Sequence, residues 1–270
     1  MSDRRTDSPL LERYGPWALV TGASSGIGEG LARALAEHGF DLVLVARRHD
    51  RLQAIAGELA RQFGVSTRTV EIDLAVPGAA ARVADAVDDL DVGLLVNNAG
   101  TGWIGRFGLQ DADEYARQIR LNASVPVELT AALLDRLRAR PRSAVLVVSS
   151  MGAFVPLPYY AVYGATKAFV QSWGEALGAE LEDDGVDVLL LAPGDTATGF
   201  QEVAGEQSTN LAAVEDVVAA ALAGLGERRT VVPGWDNRLA MVVARFLPRS
   251  LVARLLKVRQ RDQTPEDRRG

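Results

Sequence analysis

The stretch Trp17-Ala-Leu-Val-Thr-Gly-Ala-Ser-Ser-Gly-Ile-Gly28 joins a short apolar run to a turn that contains three glycines. The run has the length of a buried strand, and apolar residues then recur at helical spacing as far as Gly39, a typical helix stop. A glycine-rich turn between a strand and a helix lets backbone N–H groups and the positive helix end bind a pyrophosphate. The spacing is G-x-x-x-G-x-G rather than G-x-G-x-x-G. The strand-turn-helix context therefore predicts this site, with ordinary turn glycines as the alternative.

Six further runs of strand length, most of them apolar, alternate with helical patterns along the chain. They are 41–46, 66–72, 92–96, 144–148, 186–191 and 230–232. Because these runs are apolar on both faces, they predict an α/β fold: a single-domain, doubly wound parallel sheet of about seven strands with helices on both faces. In such sheets ligands bind beyond the carboxyl ends of the strands. The polar groups and glycines predicted at those ends are Gly22, Arg47, Asp73, Asn98, Ser150, Pro193 and Gly194.

The composition excludes several kinds of protein. The chain has no cysteine and only two histidines, His38 and His49, which excludes disulfides, thiolate nucleophiles and Cys/His metal cages, so no metal site is predicted. A net charge of -6 argues against nucleic-acid binding. No apolar run reaches the length of a membrane span, and the polar N-terminus has no apolar core, so we expect a cytoplasmic protein.

Tyr163 and Lys167 are four residues apart and share one face of a predicted helix. Of the 29 basic residues 27 are Arg, so a Lys at this position stands out. An ammonium beside a phenol favours the phenolate, and acid-base work at neutral pH requires the phenol pKa to fall by ~3 units. The pair is therefore a candidate proton donor with its tuning group, although two such residues can also share a helix face by chance.

With these motifs the sequence resembles the short-chain dehydrogenase/reductase family, in its classical form, over about 17–232. The resemblance rests on the segments 21–28, 97–100 and 163–167, on Asn122 and Ser150, and on Pro193-Gly194. Ser150 precedes Tyr163 by 13 residues, which is similar to the spacing in the family. The resemblance implies a Rossmann-type dehydrogenase fold.

The resemblance also implies a role for each catalytic position. Tyr163 would be the general acid/base, Ser150 would hydrogen-bond the substrate oxygen, and Asn122 would hold a water that relays protons. Lys167 would bind the nicotinamide ribose and lower the pKa of Tyr163. The implied cofactor contacts are Gly22, Ser24, Ser25, Gly26, Ile27, Gly28, Arg47, Arg48, Asp73, Leu74, Asn98, Ala99, Gly100, Tyr163, Lys167, Pro193, Gly194, Thr196 and Thr198.

Structural roles are open for some of these positions. Ser150 could be a strand-end turn residue, Asn122 an internal hydrogen-bonding residue of a helix, and Asp73 a helix cap. Thr196 departs from the family, which usually has an aliphatic residue there, while Thr198 matches it.

The end of the second strand predicts the cofactor. It reads Ala46-Arg47-Arg48, with no acid before Asp50. A carboxylate here would bind a ribose 2'-hydroxyl, whereas an arginine pairs with a 2'-phosphate. We therefore expect NADP(H) to be preferred over NAD(H), with Arg47 as the first contact and Arg48 as the second. Ser25 is neutral where some NADP-dependent relatives carry a second base.

The segments expected to build the substrate pocket are the one after Gly100, the loop 151–162 and a lid over 196–210. They contain many rings and no basic cluster, which predicts a hydrophobic carbonyl or alcohol substrate. The side chains concerned are Trp103, Phe107, Phe154, Leu157, Tyr159, Tyr160 and Phe200, together with Ser150 and Tyr163. Core or subunit contacts are the alternative for these rings.

The sequence thus predicts an NADPH-dependent oxidoreductase that reduces a ketone or aldehyde, or oxidises an alcohol. A 3-ketoacyl-thioester reductase is one alternative, and a cofactor-binding regulatory protein without turnover is another. The resemblance implies a homodimer or homotetramer formed through the helices that carry Asn122 and Tyr163.

The segment 235–261 differs from the catalytic domain, 14–234. It contains two apolar stripes separated by Pro248, seven basic residues and one acid. Such a basic amphipathic helical extension could lie on an anionic membrane surface, or it could pack beside the pocket or on a partner subunit. We expect 1–13 to be a disordered lead-in and 262–270 a disordered tail.

Overall fold

The computed structural model describes residues 8–206 and 211–269. Its seven strands form one parallel sheet, which confirms the predicted fold class. The strands are β1 (Trp17–Thr21), β2 (Asp41–Ala46), β3 (Thr67–Glu71), β4 (Val92–Asn97), β5 (Ser143–Val148), β6 (Val186–Leu191) and β7 (Thr230–Val231). Their order is β3-β2-β1-β4-β5-β6-β7. The order reverses between β1 and β4, so a crevice opens at the carboxyl ends of those two strands.

Helices cover both faces of this sheet. In the described part of the chain they are α1 (Pro9–Tyr14), α2 (Gly26–Glu37), α3 (His49–Phe63), α4 (Ala79–Asp85), α5 (Ala112–Ile119), α6 (Val125–Arg138), α7 (Ala161–Glu180), α8 (Phe200–Ala204), α9 (Val214–Gly224), α10 (Trp235–Phe246) and α11 (Arg249–Gln263). Successive strand residues face opposite sides. Val20 therefore packs in the core with residues of α2, α3 and α9, while Leu19 packs with residues of α4, α6 and α7.

One long helix is interrupted. The sequence predicts a helix over 111–137 with a kink or break at Pro126, and the structure divides this segment into α5, a π-helix at Arg120–Ser124 and α6. Pro126 lies in the first turn of α6, directly after the π-helical turn at which the helical hydrogen-bond pattern changes. The π-helical turn carries Asn122, whose side chain is buried.

The ends of the chain differ from the expected disorder. Residues 9–14 form α1, and the buried Tyr14 hydroxyl donates a hydrogen bond of 2.6 Å to the Asp187 carboxylate on β6. At the other end α11 continues to Gln263, Thr264 is fully buried, and Glu266–Arg268 form a 3-10 helix. The expectations for 1–7 and 270 lie outside the described residues. Tyr14, and Arg268, which donates to Ala204 O at 3.1 Å, thus have partners far away in the sequence.

The C-terminal extension consists of α10 and α11. Both helices are amphipathic, as the sequence predicts, and they run beside the carboxyl edge of the sheet. Within the described residues, no helix combines the length and the apolar character that a membrane span requires.

Candidate active site

A cavity of about 1400 Å³ follows the carboxyl edge of the sheet. The turn after β1 and the ends of β2 and β4 border one end of it, and α10 and α11 border the other. Single-ligand pockets usually measure about 300–1000 Å³, so this cavity has room for an extended cofactor together with a substrate.

The glycine turn after β1 leaves space for a ligand backbone. Gly22 has a φ of +67°, and a Cβ there would lie 2.6 Å from Asn98 Nδ2, so only glycine fits without strain. Asn98 Nδ2 donates to Thr21 O at 2.8 Å, which ties the end of β4 to this turn. The helix α2 begins at Gly26, and its first N–H groups, which have no helical acceptor, lie at the cavity wall. The turn therefore fits an anionic group such as a pyrophosphate.

Two arginines lie beside that turn, at the end of β2. The Arg48 guanidinium donates to the Ser24 carbonyl oxygen at 2.9 Å and to the Ser24 hydroxyl at 3.0 Å. Arg47 is exposed and also lines the cavity. Arg48 thus borders the phosphate turn and Arg47 lines the same cavity, while Asp50 is not part of the cavity wall.

Asp73, predicted to contact the adenine, already has two protein partners. The Arg117 guanidinium pairs with Oδ2, and Ala75 N donates to Oδ1 at 3.0 Å. Desolvation raises the pKa of Asp73, but these two hydrogen bonds outweigh it and hold the pKa below its usual value. Asp73, Leu74, Ala99 and Gly100 all line the cavity. Arg117 is a cavity residue that the sequence did not reveal.

The structure brings Ser150, Tyr163 and Lys167 together at the centre of the cavity. Ser150 follows β5, and its Oγ accepts a hydrogen bond of 3.0 Å from Gly152 N. Tyr163 lies in the first turn of α7, where the Ser150 hydroxyl is near enough to lower the pKa of the phenol. Lys167 is one turn further on. Its Nζ donates to Val148 O at 2.8 Å and lies 5.8 Å from the centre of the Tyr163 ring.

Burial has the largest effect on the pKa values of Tyr163 and Lys167. It raises the pKa of Tyr163 to about 12; the Ser150 hydrogen bond lowers that pKa, and the negative charges of Glu206 and Asp195 raise it further. The lowering of this pKa by Lys167, helped by the charge of an oxidised nicotinamide, stays a prediction for the cofactor complex. Burial also lowers the pKa of Lys167 itself, to about 8. The sequence pattern revealed the neighbouring ammonium but not the desolvation of the phenol.

Asn122 connects two elements behind the site. Its Nδ2 donates to Thr101 O at 2.8 Å and to Thr166 Oγ1 at 3.1 Å, and its Oδ1 accepts from Thr101 N at 2.9 Å. Asn122 thus fastens the segment after β4 to α7. This is the internal hydrogen-bonding alternative considered above, and the predicted water-holding role stays a prediction.

The segment after β6 closes the cavity over the phosphate turn. The Thr196 hydroxyl donates to Gly194 O at 3.0 Å, and its backbone bridges to Ala212. Since the hydroxyl is satisfied within the loop, a polar residue is tolerated at this buried position. The Thr198 side chain lies against Gly26. Of the predicted lid, 196–210, residues 207–210 lie outside the described residues.

Four of the predicted hydrophobic side chains line the cavity near Tyr163: Trp103, Leu157, Tyr160 and Phe200. The Tyr160 and Phe200 rings each lie 5.4 Å from the Tyr163 ring, centre to centre. The catalytic phenol is therefore enclosed between two aromatic rings.

Three other predicted rings do not line the cavity. Tyr159 has a φ of +65° and packs with the small cluster around Ile104. Phe107 is 71% exposed and stacks on Tyr115 at 5.2 Å, and Phe154 is not part of the cavity wall. Phe154 and Tyr159, which were expected as substrate contacts, therefore do not line the cavity in this structure. The direction of a side chain within an irregular loop depends on backbone angles that residue type does not reveal.

A family comparison agrees with this geometry. The model described as short chain dehydrogenase matches residues 16–209. The chain belongs to the short-chain dehydrogenase family. It is accordingly an oxidoreductase that interconverts C=O and CH–OH groups with a nicotinamide cofactor.

Three relatives illustrate the range of this family. A 7beta-hydroxysteroid dehydrogenase of Clostridium sardiniense is 31% identical over 252 residues, 92% of this chain and 97% of the relative. A very-long-chain 3-oxoacyl-CoA reductase-like protein of Arabidopsis thaliana is 30% identical over 250 residues, 90% of this chain and 80% of the relative. Among solved structures, a short-chain dehydrogenase from Sphingobium yanoikuyae in complex with NADPH is 35% identical, with a TM-score of 0.76 and coverage of 86% and 94%.

In this short-chain dehydrogenase the far end of the cavity contains residues that the sequence did not single out. The Tyr160 hydroxyl donates to Glu206 at 2.9 Å, and Arg259 Nη2 lies 3.3 Å from an Asp195 carboxylate oxygen. Burial, and after it the charge of Asp195, raises the pKa of Glu206. From α10 and α11 the cavity receives Asn237, Ala240, Met241, Ala244, Val252, Leu256, Arg259 and Gln260. The amphipathic pattern of 235–261 is the sequence feature that could have indicated these cavity residues. The inner faces of both helices pack beside the pocket.

Proposed function

We propose that this chain is an NADPH-dependent reductase of hydrophobic ketones or aldehydes, and in reverse an alcohol dehydrogenase. The observation that carries the proposal is the half-buried Tyr163 phenol, which lines the same cavity as Ser150, Lys167 and the Gly22 turn. A regulatory protein that only bound the cofactor would need no such acid.

Tyr163 acts as the general acid of the reduction. Because its pKa of about 12 keeps the phenol protonated at neutral pH, Tyr163 can give a proton to a carbonyl oxygen. The nicotinamide, when bound, supplies the hydride for the carbonyl carbon. Ser150 donates a hydrogen bond to the same oxygen as negative charge develops there. Alcohol oxidation requires the phenolate, so the reverse direction depends on added positive charge beside Tyr163.

We assign Lys167 to binding of the nicotinamide ribose and Asn122 to the supply of protons to Tyr163. Asn122 Oδ1 and Lys167 Nζ both lie close to Gly100 in the cavity wall. A Cβ atom added to Gly100 would be 3.3 Å from the first of these atoms and 3.6 Å from the second. Lys167 would hold the ribose hydroxyls there, and Asn122 would hold the water through which Tyr163 recovers its proton.

The preference for NADPH rests on Arg47 and Arg48. Two guanidinium groups at the end of β2 attract a 2'-phosphate, and no carboxylate follows them before Asp50. The NADPH complex of the Sphingobium relative is consistent with this assignment. The hydrogen bonds from Arg48 to Ser24 hold that guanidinium at the phosphate turn, which leaves the exposed Arg47 as the first contact.

Arg47→Ala is expected to lower kcat/KM with NADPH about tenfold and to leave kcat/KM with NADH nearly unchanged, because it removes one charge-assisted contact to the 2'-phosphate. Initial rates at varied concentrations of each cofactor measure this ratio. Arg61→Ala, in the last turn of α3, the helix that follows β2, is the matched control and should change neither value. A wild-type enzyme that prefers NADH would overturn the assignment.

The cavity beyond Tyr163 favours an apolar substrate. Its walls there consist mostly of rings and aliphatic side chains, with Glu206 and Asp195 as nearby carboxylates. Two carboxylates disfavour a strongly acidic ligand. The Clostridium relative is named for hydroxysteroids, which supports the same substrate class.

A 3-oxoacyl-thioester reductase is the second candidate, because the Arabidopsis relative carries that activity in its name. The two candidates differ in what lies beside the ketone. A thioester substrate has a long polar carrier that must leave the cavity, whereas a compact ketone is enclosed.

A panel of carbonyl compounds tests the proposal, with NADPH consumption followed by absorbance. Bulky apolar ketones are expected to have a kcat/KM at least about tenfold higher than short hydroxy-ketones, since each buried methylene contributes about 0.8 kcal/mol. Faster reduction of a 3-oxoacyl thioester than of the matched free 3-ketone would favour the second candidate. No turnover with any carbonyl compound and either cofactor would refute both.

We also propose assembly into a homodimer or homotetramer through α5, α6 and α7. Ile119 at the end of α5 and Phe169 on α7 are large apolar side chains about half exposed, which is typical of a subunit contact. The cytoplasmic location predicted above stays a prediction.

A further inference from the structure

The outer faces of α10 and α11 carry an unusual share of exposed apolar side chains. Fifteen large hydrophobic side chains are exposed in the described part of the chain, and eight of them belong to these two helices. Phe246 is 83% exposed and Trp235 is 77% exposed. The C-terminal apolar face is defined by Trp235, Leu239, Val242, Val243, Phe246, Leu251, Leu255 and Val258.

This face is separate from the wall of the cavity. The exposed residues recur at intervals of three and four, so each helix carries them along one stripe. Its other side supplies cavity-lining residues such as Met241, Ala244 and Leu256. The contact of the inner stripe with the active-site cavity explains why that stripe is apolar. It does not explain the outer stripe, which is exposed.

The charges around the C-terminal apolar face are positive. The segment 235–261 has seven basic residues and one acid, in a chain whose net charge is -6. Arg238 donates to Val232 O, and Arg259 pairs with Asp195. The five remaining cations are exposed, and no ion pair involves them within the described residues; they are Arg245, Arg249, Arg254, Lys257 and Arg261.

We propose that the C-terminal apolar face binds the surface of an anionic lipid bilayer. Apolar side chains of an amphipathic helix enter the boundary between headgroups and acyl chains, and each nearby Lys or Arg adds about 1 kcal/mol of attraction to acidic lipids. Neither helix spans the bilayer, since α10 has 12 residues and α11 has 15. The protein therefore binds peripherally.

Charge favours lipid over a second copy of this chain. In a twofold-symmetric contact the same patch occurs on both subunits, so two clusters of unpaired cations would face each other. An anionic bilayer instead supplies the opposite charge together with an apolar layer.

Co-sedimentation with vesicles tests this proposal on the full-length chain. We expect binding to phosphatidylcholine vesicles that contain about 30% phosphatidylserine, and at least about tenfold weaker binding to pure phosphatidylcholine or at 0.5 M salt. Trp235→Ser/Phe246→Ser should weaken binding to the acidic vesicles about tenfold or more, because it removes the two most exposed rings. Arg245→Gln/Arg249→Gln/Arg254→Gln/Lys257→Gln should remove the preference for acidic lipid.

Phe107→Ser is the matched control, since Phe107 is 71% exposed but belongs to neither α10 nor α11. It should bind the vesicles as the wild type does. Each variant is checked for wild-type turnover, because none of these side chains lines the cavity. Binding that ignores lipid charge, or that is the same in all variants, would overturn the proposal. The proposal would also be overturned if the protein did not bind vesicles and instead formed a dimer that the variant Trp235→Ser/Phe246→Ser dissociates.

Discussion

Replacing Tyr163 with phenylalanine is expected to lower kcat/KM for carbonyl reduction about 10²–10⁴-fold, the usual contribution of a general acid. The substitution removes one buried hydroxyl and keeps the ring that packs between Tyr160 and Phe200. Because the phenyl ring fits the same space, the fold and the cofactor site should persist. Steady-state kinetics measures the loss, and titration of protein fluorescence with NADPH should give a dissociation constant within about threefold of the wild-type value.

Tyr160→Phe is the matched control for this experiment. Tyr160 lies next to Tyr163 and also lines the cavity, but its hydroxyl donates to Glu206, and burial raises its pKa so that it stays neutral. Its loss should change kcat/KM less than about tenfold, since only one hydrogen bond at the cavity wall is removed. Unchanged turnover in Tyr163→Phe would contradict the proposed mechanism, and equal losses in both variants would assign the effect to packing.

The parts of this site that the sequence predicted lie close to strand ends. Gly22 directly follows β1, Arg47 directly follows β2, and Ser150 comes two residues after β5. The positions of strands follow from continuous apolar runs, and parallel strands bring their carboxyl ends to one edge. The position of such a side chain can therefore be predicted as soon as the end of its strand is predicted correctly.

The parts that the sequence did not reveal depend on contacts between distant segments. Tyr160 and Glu206 are 46 residues apart, and Tyr14 and Asp187 are 173 apart. No local pattern pairs such residues, so the ordered N-terminal helix and the carboxylates of the cavity were missed. The direction of the Tyr159 ring was missed for another reason, since its positive φ turns the loop at that residue.

The pKa of Tyr163 shows how the same limitation affects chemistry. The spacing from Tyr163 to Lys167 predicts a charge effect, which is a local property. Desolvation depends on everything packed around the phenol, including Phe200 from a segment far along the chain. In the cofactor-free protein the Tyr163 phenol is consequently protonated at neutral pH and can act as an acid. To act as a base it needs the positive charge of a bound group beside it.

Lys167→Met is expected to change both activity and the pH dependence of stability. The loss of a preorganised cation at the reacting group should lower kcat/KM about 10²–10³-fold. Burial lowers the pKa of Lys167 from its ordinary 10.5 to about 8, so between pH 8 and pH 10 the folded chain binds fewer protons than the unfolded chain. Folding stability of the cofactor-free protein therefore rises with pH through this window, by up to about 3 kcal/mol in all.

The test is the slope of stability against pH, because Lys167→Met also leaves Val148 O without its donor, at a cost that does not vary with pH. Urea unfolding at pH 7.5, 8.5 and 9.5 should show a rise in wild type and in Lys257→Met, the control at the other lysine, which is exposed. The rise should be absent in Lys167→Met. If wild type and Lys167→Met have parallel curves, Lys167 keeps an ordinary pKa and is not desolvated. If the curves differ but turnover is equal, Lys167 is buried for a structural reason alone. Only the loss of both the slope and the turnover is consistent with a buried cation that acts on Tyr163 and the cofactor.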